Sequence, residues 1–104
     1  MVPNRPFSAT AAGTNSGATA TQAAVANRAF FVTSISGHTD ADAVITIESA
    51  STVVWESKID VSAEGFSFHF PGLLVVCVPG EAANGKVASS SADCQVNITG
   101  YSLP

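Results

Sequence analysis

The sequence predicts an all-β domain, an antiparallel β-sandwich or jelly roll of about eight short strands with an N-terminal arm. Three observations carry this expectation. Phe66, Phe68 and Phe70 recur at period two with Ser67 and His69 between them, which puts three aromatics on one face of one strand. Ala43, Ile45 and Ile47 alternate with Val44, Thr46 and Glu48, the pattern of a half-buried strand. After Asn27 no segment carries a 3.6-residue period, and Gly, Pro, Ser and Asn interrupt the chain at short intervals.

Taken in order, residues 1–17 read as a flexible arm and 18–104 as the β domain. The arm holds Pro3, Pro6 and a small-residue stretch from Ser8 to Gly17, with neither a helical nor a strand period. Arg5 and Phe7 are its only large side chains, so they are the expected anchors if it docks on a partner. Thr19 to Val25 reads as a strand ending in a tight turn at Ala26-Asn27, where Asn27 tolerates positive φ. Arg28 to Ser36 follows, with Phe31, Thr33 and Ile35 on one face and Phe30, Val32 and Ser34 on the other.

Ser49-Ala50-Ser51 turns the chain into Thr52 to Ile59, where Val53, Trp55 and Ile59 share a face and Trp55 is expected in the core. The phenylalanine strand comes next, then a turn at Pro71-Gly72 and a fully apolar strand from Leu73 to Val78. Glu81 to Gly85 reads as a loop and Lys86 to Ser89 as a short strand. The last strand spans Ala92 to Leu103, with Cys94, Val96 and Ile98 opposing Asp93, Gln95 and Asn97.

Composition narrows the function. A chain of 104 residues is one domain, and 46% hydrophobic residues rule out intrinsic disorder. Only 12% of residues are charged, about half the usual share. The net charge is −4, and the four basic residues, Arg5, Arg28, Lys58 and Lys86, are scattered, which argues against a nucleic-acid partner. The longest apolar run, Leu73 to Val78, falls far short of the roughly 20 residues of a membrane helix, so no membrane is expected. No charged segment followed by an apolar one opens the chain, so no secretory signal is read. Small neutral residues stand where a soluble monomer carries charges. Such a surface loses little solvation on burial, which points to an assembled state, an oligomer or a lattice.

Motifs for chemistry are sparse. His38, Asp40 and Asp42 occupy alternate positions and would point the same way from an extended backbone, as metal ligands must. The same residues also suit an ordinary Asp turn, and a Ca²⁺ site wants six to eight oxygens. His69 would need an orienting carboxylate and a nucleophile to be catalytic. Glu56 with Asp60, or Glu48 with Glu56, could pair as acid and base, as in any β domain. No Gly-x-Ser-x-Gly elbow and no Gly-rich phosphate loop is present, so no catalytic residue, cofactor or enzyme activity is expected. Cys77 and Cys94 could be bridged if their strands were neighbours, whereas a protein assembled in the cytosol is expected to keep both as thiols.

The layout resembles the capsid decoration, or cement, proteins of tailed bacteriophages. The residues that carry the resemblance are the Thr/Ala-rich first strand, the run Arg28-Ala29-Phe30-Phe31-Val32-Thr33-Ser34-Ile35-Ser36, the strand Val44 to Ser49 and the terminal Asn97-Ile98-Thr99-Gly100-Tyr101. The Cys pair and Asn27, where Gly is common, depart from that pattern. The resemblance implies a β-sandwich that forms a homotrimer, is made in the host cytoplasm and sits on the outer surface of the virion. Its partner would be the major capsid protein, whose shell it stabilises. A rival expectation is a receptor- or glycan-binding β-sandwich of a phage fibre or bacterial surface, with Trp55, Tyr101 or Phe30 as the exposed aromatic.

Overall fold

The computed structural model describes residues 5–14, 17–59, 65–70, 75–88 and 93–103, and among these there is no helix. The strands are β1 (Arg5–Gly13), β2 (Ala18–Gln22), β3 (Ala29–Thr39), β4 (Ala43–Ser49), β5 (Thr52–Ile59), β6 (Gly65–His69), β7 (Ala83–Ala88) and β8 (Cys94–Leu103). They form two antiparallel four-stranded sheets in a sandwich-like arrangement. Sheet A has the order β1-β8-β3-β6 and sheet B the order β2-β7-β4-β5. The pairings are nested, with β1 on β8, β2 on β7, β3 on β6 and β4 on β5.

The inner faces of both sheets supply one core. Phe30, Val32, Ile35, Val96 and Ile98 come from sheet A, and Ile45, Ile47 and Val87 from sheet B. Each is almost wholly removed from water, and burying such a side chain contributes about 1.5–3 kcal/mol. The two sheets approach closely at Gly85, where a Cβ would collide with the Ile98 side chain. Asn27 sits in the turn before β3 with φ 63°, as its residue type predicts.

Five sequence expectations are corrected. The expected arm contains an edge strand of sheet A, because Arg5–Gly13 pairs residue for residue with Cys94–Ser102. Its period two is real but faint: Phe7, Ala9 and Ala11 are half-buried while Ser8, Thr10 and Ala12 are exposed. Alanine against serine gives little hydrophobic contrast, so the alternation is hard to read.

In β3 the inward residues are Phe30, Val32 and Ile35, not one of the two alternating sets. A bulge at Thr33, between the pairs Val32↔Gly100 and Ser34↔Thr99, inserts one residue and shifts the phase. A second bulge does the same in β5. Ile47 faces Trp55 but Glu48 faces Val53, so Val54 is the extra residue. Val53 and Val54 are therefore both exposed, while Trp55 is half-buried against the core instead of inside it.

The described part of the apolar run, Val75 to Val78, makes no ladder strand. Leu73 and Leu74 lie outside the described residues, and Val75 to Val78 follow β3 with a single bridge, Phe31↔Val76. Finally, β7 begins at Ala83, inside the expected loop. Ala83 and Gly85 are poor strand formers, but they are the small residues that fit beneath the core.

Candidate functional site

The two outer faces of the sandwich differ in charge. On sheet A the cross-strand rows facing outward are Pro6, Tyr101 and Phe31, then Ser8, Thr99, Ser34 and His69. The next two rows are Thr10, Asn97, Ser36 and Ser67, then Ala12, Gln95, His38 and Gly65. These four rows contain no Asp, Glu, Lys or Arg, and Asp40 borders them beside His38. Its hydroxyls and amides bond to one another: Thr10 to Asn97, Ser34 to Thr99, and Ser67 to His69 Nε2 at 3.3 Å. Phe31 and Tyr101 stack at one end, with ring centroids 5.4 Å apart. Sheet B presents Lys86, Glu48, Glu56 and Lys58 on its outer face.

At the Phe31 end a cleft of about 180 Å³ opens between the start of β1 and the β2–β3 turn. Arg5, Phe7, Arg28 and Phe30 line it, together with Gln22 and Val25. Phe7 meets Phe30 edge to face at 5.3 Å. Arg28 is 7% exposed and donates from Nε to Ser102 Oγ at 2.9 Å and from an Nη to the Ser102 carbonyl at 3.0 Å. The two anchors expected from the sequence, Arg5 and Phe7, thus share one cleft, though on a strand instead of an arm.

At the opposite end His38 Nε2 lies 3.0 Å from Asp40 Oδ1, both about half exposed. Asp42 is exposed beside Lys58 and Ile59. Among the described residues no three His, Cys, Asp or Glu side chains gather as metal ligands would. Glu56 faces Thr46 across the ladder, and the Glu48 carboxylate accepts from the Thr46 hydroxyl at 3.3 Å. Asp60 lies outside the described residues.

Cys77 and Cys94 are buried and not bridged to each other. Burial pushes the Cys77 thiol above its ordinary value; the nearby Glu81 carboxylate adds to the rise, and a Ser49 contact opposes it. Ser49 donates to Glu81 Oε1 at 2.5 Å and accepts from the Val78 amide at 2.9 Å, pinning the segment after Val75 to the end of β4. A thiol raised in this way is a poor nucleophile.

Of the aromatics expected in a glycan site, Phe30 is core and Trp55 packs edge-on to Phe68 and Phe70 at 4.9 and 5.0 Å. Tyr101 alone lies on an outer face. The sequence reading missed the neutral face and the buried Arg28. The alternation of Gln95, Asn97 and Thr99 opposite Ser34 and Ser36 is the signal for the first, and no local pattern signals the second. No helix among the described residues is long and apolar enough to cross a membrane. No protein-family model matches the chain, and no curated protein matches it.

Proposed function

We propose that this protein is a structural contact module, a capsid decoration protein that binds the outer shell of a tailed bacteriophage as a homotrimer and stabilises it. The observation that carries the reading is the segregation of charge. Sheet B has a charged outer face suited to water, and sheet A a face of hydroxyls, amides, two histidines and two aromatics suited to burial against protein. The nested strand order supports a jelly-roll winding, an architecture that recurs in capsid and lectin domains, and the fold adds only that analogy. The resemblance of Arg28 to Ser36 and of Asn97 to Tyr101 to decoration proteins supplies the capsid.

Size explains why the module would act as an oligomer. Four strands by four rows cover about 15 Å by about 20 Å, or about 300 Å². A stable interface takes about 800 Å² from each partner, so one face is too small and three in a closed ring reach that range. The protein acts by binding, with the major capsid protein as partner and the virion surface as its place. It binds the assembled shell and so stabilises it by mass action.

The test joins native mass measurement with co-sedimentation on purified expanded capsids. A trimer mass and saturable binding are expected. Ser36→Lys with Asn97→Lys, which charges the neutral face, should abolish binding while leaving the fold intact. A monomer at every dilution, or capsid binding unaffected by the two lysines, overturns the reading. The Phe31–Tyr101 stack favours one second reading, a glycan-binding face. Binding to immobilised oligosaccharides that is lost in Tyr101→Ala would select it.

A further inference from the structure

We infer that β5 is a self-association edge, on which a second copy of this chain pairs antiparallel about a two-fold axis at Ser57. Each sheet has two edge strands, β1 and β6 in sheet A and β2 and β5 in sheet B. An edge strand leaves alternate N–H and C=O groups outside the ladder, so it can accept another strand. β1 carries Pro6 and one charge, Arg5, while β2 and β6 carry no Asp, Glu, Lys or Arg, so no charge pair fixes a register on them. β5 differs. Its run Trp55-Glu56-Ser57-Lys58-Ile59 reads apolar, acidic, small, basic, apolar, and so meets its own complement when reversed.

With the two Ser57 residues opposite each other, Glu56 of each copy faces Lys58 of the other, and Trp55 faces Ile59. The two faces of the strand agree with this register. Glu56 and Lys58 are exposed on the outer face, and Trp55, Ser57 and Ile59 are half-buried on the inner one. Neither Glu56 nor Lys58 has an ion-pair partner among the described residues. Opposite charges directly across a ladder attract and like charges repel, so the register is specified and does not slip. The bulge at Val54 ends the regular ladder on one side. Val53 and Val54, 48% and 40% exposed, add apolar surface along the same edge. The pairing joins two copies of sheet B into one continuous sheet and leaves the neutral outer face of sheet A open.

The inference goes beyond shell binding and does not rest on it. The experiment measures the mass of the whole chain by sedimentation over a dilution series up to about 1 mM. Mass should rise with concentration, from monomer to dimer, or beyond the trimer if the trimer is the unit. Glu56→Lys and Lys58→Glu each set like charges across the two-fold, and each should weaken this step about ten-fold or more. Both positions are exposed, so the urea midpoints should stay at the wild-type value. An equimolar mixture of the two variants should associate like the wild type, because each offers the charges that the other lacks. The double variant Glu56→Lys with Lys58→Glu exchanges the charges and should self-associate again. A mass that never rises, single variants that associate like the wild type, or a mixture that fails to recover would overturn the inference. A trimer that never grows overturns it while leaving the shell reading standing, and a monomer–dimer step with no trimer does the reverse.

Discussion

The Arg28 guanidinium is clasped by Ser102, with Nε 2.9 Å from the hydroxyl and an Nη 3.0 Å from the carbonyl. This clasp joins the turn before β3 to the end of β8. It does so in a place where only 7% of the residue is exposed. Replacing the hydroxyl leaves a buried donor short of an acceptor, which costs about 1–3 kcal/mol. Ser102→Ala should therefore lower the unfolding free energy measured in urea by that amount, and a loss under about 0.5 kcal/mol would mean that the hydroxyl is dispensable.

Phe30 and Phe68 separate a core aromatic from a bordering one. Phe30 is 2% exposed and Phe68 is half-buried beside Trp55. Phe30→Ala should cost about 3–5 kcal/mol, the usual range for a buried aromatic. Phe68→Ala should cost about half as much, since less of its surface leaves water. Equal losses in chemical denaturation would contradict this placement of the two rings.

Removal of residues 2–13 tests whether β1 belongs to the sheet. Nine residues of β1 pair with β8, so truncation exposes an edge and uncovers Phe30 where Phe7 packs on it. A melting temperature lowered by about 10 °C or more, with a tendency to aggregate, is the expected result. An unchanged melting curve would restore the reading of a dispensable arm.

Cys77 makes stability depend on alkaline pH. Its thiol is raised above the ordinary value of 9.0, chiefly by burial, so the folded state holds the proton more tightly than the unfolded chain. The contribution is complete below pH 9 and is lost as pH rises through the folded value. Cys77→Ala should flatten the decline in stability above pH 9, measured by denaturant midpoints. Native Cys77 should also resist iodoacetamide at neutral pH until the protein is unfolded.

Residue periodicity carried the all-β class because every strand needs one apolar face, and side chains alternate at period two whatever the tertiary context. The β4 alternation from Ala43 to Ile47, the Phe66 and Phe70 positions and the Asn27 turn were all legible for that reason. Period two also made the faces of β3 and β5 misleading. A bulge adds one residue without a local signature, so Thr33 and Val54 reversed the phase and only the partner strand's register revealed it. Where side chains are small, as in β1 and at Ala83 and Gly85 of β7, strand identity comes from pairing, with β8 for β1 and with β2 and β4 for β7, not from propensity. The candidate sites depended most on tertiary structure. The neutral face needs four strands side by side, and the cleft joins Arg5 to Arg28 and Ser102 across the length of the chain. Such contacts are non-local, and a linear sequence encodes the residues but not their adjacency.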